Sequence, residues 1–447
     1  IATPLTTVNN LDISQLKKLA CNKIDEHSSQ LQAIAEEVLS HPEVGFQEYI
    51  TSKMVAHELN NLGIPLQTGL AITGVKGHFS GAHPGPNIGI ISELDALVVK
   101  DHPHSDSSTH AAHACGHNCQ IAMMIGCVIG LNQNAILDHL HGTITPFAVP
   151  AEEFINIPDR ISLKNKDEIT LLGGKQELIS LGHFRDIDIA FMCHTASGSR
   201  EKVFAVGGSS TTHVTKIVTF SNPSSTPTNA AQNAASFAIE ALNYNRDLFQ
   251  SAHTVRSHGI IIPSYESTLD YNQTKLEWRI RASDLNSLGD YSLIADRCFR
   301  AAALSSGCSV TIETIPGYLP MINDIPLQSI FESNAINLLG NNRVIIMAPS
   351  EKTGGSTDMG DLSHLMPVCH PYCTGAIGTG HGKDYVIKDY NAAVINPAKI
   401  MSMVAIDLLV NQSENALNVM RNFTPTLECD EYLNLQKGRF NIEIYNG

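Results

Sequence analysis

The residues that first suggest chemistry are a thiol and an imidazole two positions apart, Cys115 and His117, in the run His113-Ala114-Cys115-Gly116-His117. In a loop that contains glycine, both side chains can face one metal region, and a deprotonated thiolate can bridge two ions. Alone, the pair reads equally well as a small polar loop. Two adjacent acids, Glu152 and Glu153, interrupt an otherwise apolar stretch, with Phe147-Ala148-Val149-Pro150 before them and Phe154 after. Carboxylates there are costly to bury without cations; the other reading is a surface acidic pair. His194 follows the strand-like run Ile187 to Met192 and suits a satisfied core histidine as well as a ligand. His381 sits in Gly378-Thr379-Gly380-His381-Gly382, a loop that could equally leave it mobile at the surface. Two metals about 3.5–4 Å apart need five or six N, O or S ligands including a bridge. Cys115, His117, Glu153, His194 and His381 make up such a set. Glu152 is then free to act as general base on a water.

These residues need elements to carry them. Apolar spacing predicts a helix over about 12–40, ended by His41-Pro42, and a second over about 47–62. Asn87 to Ser92 reads as a buried parallel strand, with Glu93 and Asp95 at its C-terminal end, where open α/β sheets bind ligands. A polar, His-rich loop (101–112) precedes a helix beginning near Cys119. Strands from Gly142 to Val149 and from Ile187 to Met192 follow. Three strand ends thus deliver Asp95, Glu152 with Glu153, and His194. From about residue 209 the pattern changes: a strand (His213 to Phe220), a polar loop (221–229), an Ala-rich helix (230–248), two strands and a helix (284–305), closing near Ile315-Pro316-Gly317. This β-α-β-β-α-β order is a ferredoxin-like unit. The expected fold class is α/β. A catalytic domain with a mostly parallel sheet flanked by helices, residues 1–208 and 319–447, receives an α+β insertion at 209–318. A long helix over about 396–411 belongs to the larger domain.

Composition sets outer limits. At 447 residues, with 43% apolar and 16% charged residues, the chain can bury a large core. A net charge of −15 argues against nucleic acid, which requires clustered Lys and Arg. No apolar stretch is read as long enough to span a bilayer, so no membrane role is expected. Ten scattered Cys do not suggest a disulfide scaffold, and a cytoplasmic setting with reduced thiols is expected. His102, His104, His110 and His113 read as a solvated loop, and Cys369-His370-Pro371-Tyr372-Cys373 is a weak candidate for a small metal site.

The chain resembles the zinc aminoacylase and carboxypeptidase group of metallopeptidases, nearest its aminoacylase-like dipeptidases and the amidohydrolases of indole-acetyl-amino-acid conjugates. The matching runs include His41-Pro42-Glu43 with Glu48, Glu93-x-Asp95-Ala96-Leu97, His113 to Asn118, Pro150-Ala151-Glu152-Glu153, Gly173-Gly174-Lys175, Met192-x-His194, His258-Gly259-Ile260-Ile261, Gly355-Ser356-Thr357-Asp358, His370-Pro371-Tyr372 and His381. The resemblance implies two divalent ions, zinc first, with manganese or cobalt possible. It implies Cys115 as their bridge and His117, Glu153, His194 and His381 as further ligands. Glu152 would be the base and Asp95 would orient an imidazole. His258, Ser356 and Thr357 are candidate substrate contacts. The insertion would act as a lid and homodimerise, and the partner would be a small-molecule substrate whose amide is attacked by activated water.

The lid departs from that pattern. The group carries a histidine ahead of the lid helix that stabilises the oxyanion across the dimer. Here the stretch Thr219 to Pro227 holds none, and Pro223 takes the position. His213, His253 and His258 are the lid histidines left as candidates. Losing one oxyanion donor typically costs about 2.7–4 kcal/mol. The first reading is therefore an amidohydrolase of acyl-amino acids or dipeptides. The second is a biosynthetic enzyme doing condensation, cyclisation or another non-hydrolytic step on the same metals. The third is a non-catalytic metal-binding partner protein, for which Glu152 has no use.

Overall fold

The computed structural model describes residues 12–198, 201–223, 229–248, 256–262 and 272–447. His253, Ser224 to Pro227, Pro263-Ser264-Tyr265 and Leu269-Asp270-Tyr271 lie outside them.

The β-branched run predicted as a parallel strand forms the end of His83–Glu93, in a seven-stranded sheet. His141–Val149 and Ile189–Phe191 flank it in parallel, and Val368–Cys369 adds in parallel beyond. Gly74–Gly77 and Phe79–Ser80 pair antiparallel with the outer side of His141–Val149, and Leu66–Leu70 pairs antiparallel with Gly74–Gly77. A parallel centre needs cover on both faces. Ile88 and Ile90 face one core, shared with the wholly buried helix His117–Leu131 and the helix Asn396–Leu409. Ile91 and Phe147 face another, which holds Leu178, Phe184, Tyr318 and Leu362.

A second five-stranded sheet was not anticipated from sequence. It contains Val344–Lys352, Phe204–Ser209, Tyr372–Ile377 and Val386–Ile387, with His194–Ser197 parallel to Tyr372–Ile377. Its role is positional, because it sets His194 beside Tyr372.

The inserted segment forms an antiparallel sheet in the order Arg256–Ile262, Gln273–Ala282, Thr212–Ser221, Ser309–Pro316. That is the ferredoxin-like order expected from the element pattern. Helices Ala230–Tyr244 and Leu285–Ser306 pack on it around Val218, Phe220, Leu276, Phe299 and Val310.

Three expectations need correction. The first helix is two, Ile13–Glu26 and Ser28–Leu39, broken at His27 (φ −103°, ψ 10°), whose Nδ1 takes up the Lys23 carbonyl at 2.9 Å. The stretch Asn391–Leu409 is long and apolar enough to cross a membrane, contrary to the reading of the sequence, but 83% of it is buried in the protein core. The end of the chain does not stay with the larger domain. Asn441–Asn446 pairs antiparallel with Ser309–Pro316 and becomes an edge strand of the smaller sheet. Its alternate residues Glu443 and Tyr445 are half-buried, while Ile442 and Ile444 are exposed.

Candidate metal centre and cleft

Each strand end delivers its polar residue in a held conformation. After His83–Glu93, Glu93 turns its carboxylate inward: Lys175 Nζ lies 2.6 Å from Oε1 and Gln120 Nε2 lies 3.0 Å from Oε2. Burial works against the charge, but Lys175 and His117 outweigh it and hold the Glu93 pKa down to about 2. Lys175 also donates to Asp358 through both its backbone nitrogen and Nζ. After His141–Val149, the chain turns through Ala151 at φ +54°. That costly geometry is fixed by Glu48, whose Oε1 accepts Ala151 N–H at 2.8 Å. Arg160 reinforces it by donating to the carbonyls of Ala151, Glu153 and Leu172. Glu153 N–H donates to Asp95 Oδ2 at 2.8 Å, and Tyr318 hydroxyl to the Glu152 carbonyl.

Cys115 and His117 straddle Gly116 at φ +86°, the residue that opens the helix His117–Leu131. A Cβ there would fall 2.6 Å from Tyr385 hydroxyl, so glycine is required on both counts. His117 Nδ1 donates to the Asp95 carbonyl at 2.8 Å, with Asp95 Oδ1 at 3.3 Å. Its Nε2 is therefore the nitrogen left to face the cluster. That nitrogen is buried without a hydrogen bond, although Glu93 Oε2 is 3.1 Å away and Glu152 Oε2 3.9 Å away. Cys115 Sγ lies 3.3 Å from His194 Nε2 and 3.3 Å from His381 Nε2. His381, at φ +65°, is tied by its N–H to the Ala114 carbonyl at 2.8 Å, and its Nε2 is 3.5 Å from Glu153 Oε1.

Three donor groups result: Cys115, His117, His194; Cys115, Glu153, His381; and Glu93, His117, Glu152, with ligand atoms in each within 4.8 Å of one another. The structure thus brings all five sequence-predicted ligand residues and Glu152 together. Cys115 and His117 are each common to two groups. The cluster has more acceptors than protons to share. Glu153 Oε1 and His117 Nε2 are buried without hydrogen bonds. Burial, then Glu153, pushes the Cys115 thiol up, and burial, then Glu93 and Glu153, pushes Glu152 well above the carboxylate range. Such a donor set fits divalent cations, whose charge would reverse those costs.

The cluster forms the floor of a cleft of about 850 Å³, open to solvent. Ser356 and Thr357 line it, as do His213, Arg279, Arg281 and Tyr318 from the lid side and hinge. His258 does not join them; it is exposed on the strand Arg256–Ile262. Among lining residues the sequence reading passed over Arg279, Arg281 and Tyr318, and in the layer beneath it passed over Arg160. Lys175, Glu93 and Asp358 appeared only as letters in matching runs. His113 is buried with neither ring nitrogen hydrogen-bonded among the described residues, so it is not part of a solvated loop. Pro223 is exposed just beyond the end of Thr212–Ser221, at the opposite end of that strand from the cleft.

No protein-family profile matches the chain. It is 26% identical to human Xaa-Arg dipeptidase over 471 aligned residues, covering 95% of both chains. It is 23% identical to the Arabidopsis thaliana IAA-amino acid hydrolase ILR1-like 4, covering 80% of both. Thermostable carboxypeptidase 1 of Saccharolobus solfataricus matches at 29% over 41% of this chain and 44% of its own. A Bacillus subtilis dinuclear metal binding peptidase of the M20 family shares the fold, with a TM-score of 0.61 at 19% identity over 86% of this chain and 99% of that one. The aminobenzoyl-glutamate utilization protein of Klebsiella pneumoniae aligns with a TM-score of 0.65 at 16% identity, over 88% and 98%. Fold and sequence relationship agree, and the chain is an enzyme similar along most of its length to Xaa-Arg dipeptidase and to an IAA-amino acid hydrolase, with the fold of an M20-family metal binding peptidase.

Proposed function

We propose that the chain hydrolyses the amide bond of a small acyl-amino acid or dipeptide at a dinuclear metal site. One observation carries this reading: three donor groups interlock through Cys115 and His117, each shared by two of them, with Glu152 in the group that adds Glu93. Cys115 would bridge, with His117, Glu153, His194 and His381 completing the set; Cys, His and Glu donors suit zinc first. Two such ions would supply Lewis acidity for the amide carbonyl and make water acidic enough to deprotonate near neutral pH. Glu152 takes the proton from the attacking water and passes it to the leaving nitrogen as the C–O bond forms and the C–N bond breaks. Asp95 fixes the His117 tautomer, and Lys175 keeps Glu93 charged behind it. The names of the dipeptidase and amino-acid-conjugate hydrolase relatives support the substrate class.

The test is Glu152→Gln, assayed on a panel of dipeptides and N-acyl-amino acids alongside metal analysis. Turnover should fall roughly 10²–10⁴-fold while both ions stay bound. A wild-type protein that carries metal yet cleaves nothing in the panel would sink the hydrolase reading. Pro223, standing in sequence where the resembling group carries its lid histidine, favours a second reading, non-hydrolytic chemistry on the same metals. Product identification by mass spectrometry separates it, because hydrolysis adds one water across the substrate.

A further inference from the structure

The missing lid histidine leaves a question within the proposed reaction: which group steadies the carbonyl oxygen as it gains charge. The cleft contains two imidazoles outside the donor cluster, His213 and His370. His213 has the wrong proton. Ser356 Oγ donates its single hydrogen to the Thr211 carbonyl at 2.7 Å, so its 3.0 Å contact with His213 Nδ1 must be a bond it accepts. His213 Nε2 is then the lone pair and has no hydrogen to offer. Protonating it is opposed first by burial and then by Arg281 and Arg279. The ring also lies against Gly317, where a Cβ would fall 2.1 Å from Nε2.

His370 differs in each respect. It is 1% exposed and lines the cleft with Cys115, Glu152 and His194. Its backbone is anchored, with the N–H donating to Asn323 Oδ1 at 2.9 Å. Its ring is held edge-on to His194 with centroids 5.9 Å apart and tilted against Tyr372 at 4.9 Å. Yet neither ring nitrogen has a hydrogen-bond partner among the described residues. In either tautomer a neutral imidazole keeps one N–H donor. Buried donors without partners are rare and are kept where a ligand completes them.

We propose that His370 donates its free ring N–H to the oxygen of the reacting carbonyl, supplying from the catalytic domain the hydrogen bond that relatives take from the lid. The assignment rests on the amide-hydrolysis reading. It makes the active site self-sufficient within one chain at this step, which accounts for a lid that carries Pro223 without loss of the reaction. Preorganised donors of this kind act on the transition state more than on bound substrate.

The experiment compares wild type, His370→Leu and His370→Asn, each loaded with zinc and checked for metal content. His370→Leu should lower kcat about 100- to 1000-fold with KM little changed and both ions retained. Affinity for a phosphinate analogue of a cleaved substrate should fall in parallel with kcat/KM. His370→Asn, which restores an N–H donor, should recover at least about ten-fold of the loss. Unchanged kcat in His370→Leu overturns the assignment while leaving the hydrolase reading intact. Loss of metal, or a change in KM alone, overturns it in favour of a packing role beside His194. A wild-type enzyme inactive on every substrate removes the hydrolase reading and this assignment with it.

Discussion

Lys175 and Lys216 are both fully buried, one beneath the donor cluster and one in the lid sheet, and their surroundings push them in opposite directions. Lys175 sits between two carboxylates, Glu93 at 2.6 Å and Asp358, and its proton affinity is raised although burial opposes the charge. Lys216 has one carboxylate, Asp296 at 2.6 Å, and a hydroxyl, Thr314 at 3.0 Å. There burial wins: Lys216 is shifted down and Asp296 up, each toward its neutral form. Desolvation sets a similar cost for both, and the second carboxylate decides the outcome. The difference separates a region built to hold charge from a region built to hold a fold. Under the cluster, Lys175 and Glu93 hold their charges, while burial still lifts Asp358 to about 7. In the lid, the ferredoxin-like core of Val218, Phe220, Phe299 and Val310 does the structural work, and polar residues can be exchanged.

The largest expected effect tests the charged side of that contrast. Lys175→Met leaves Glu93 and Asp358 facing each other without a cation. Removing one partner of a buried ion network typically costs roughly 3–5 kcal/mol. Urea unfolding of the metal-free protein should show a loss of that order. A variant as stable as wild type would mean that Lys175 is not the counter-charge that holds this layer together.

The same contrast explains what the sequence disclosed. Cys115, His117, Glu152, Glu153, His194 and His381 were recognisable because their types are chemically unusual at strand ends and in a Gly-flanked run. The insertion was recognisable because its alternation of helix and strand periods is local. Lys175 was not, since its partners are 82 and 183 positions away and nothing in the local pattern marks a lysine as buried. His370 was read only within a weak metal-site candidate and a matching run, and His113 as part of a solvated loop, for the same reason: polarity says nothing about exposure once tertiary packing decides it. The strand Asn441–Asn446 was missed because it pairs with Ser309–Pro316 more than a hundred residues earlier. The break at His27 was missed because apolar spacing continues through it, with Ile24 and Leu31 both buried on the same side.

A middle-sized effect lies at the boundary between the two regions. Asp361 is fully buried and accepts from Tyr432 hydroxyl at 2.8 Å, Gln436 Nε2 at 2.7 Å, Gln176 Nε2 at 3.2 Å and Leu319 N–H at 3.3 Å. No cation pairs with it among the described residues, and burial lifts its pKa to about 6 despite those donors. A carboxyl raised on folding binds its proton more tightly in the native state. Stability from this group is present below its unfolded pKa, near 4, and is lost as pH rises toward 6. The size is roughly 2–3 kcal/mol for a shift of about two units. Unfolding free energies measured from pH 4 to pH 6 should therefore fall more steeply in wild type than in Asp361→Asn. Parallel slopes would show that the four donors keep Asp361 ionised and that burial does not prevail at this boundary.

The smallest effect tests the lid. If burial already outweighs the attraction between Lys216 and Asp296, the pair contributes little, and apolar residues of similar size should replace it at almost no cost. The position favours this. Lys216 lies on the central strand Thr212–Ser221 and Asp296 on the helix Leu285–Ser306 that covers the sheet, where Leu288, Ala295 and Phe299 already form an apolar contact surface. Thr314 would lose one donor but can turn its hydroxyl elsewhere. The double variant Lys216→Met, Asp296→Leu should unfold within about 1 kcal/mol of wild type or be more stable, whereas Lys216→Met alone leaves Asp296 unpaired and should be the worse of the two. Thermal and urea unfolding of both variants checks the order. If the double variant loses as much as Lys175→Met, the two lysines are equivalent, and the division between a charge-holding layer and an exchangeable lid fails.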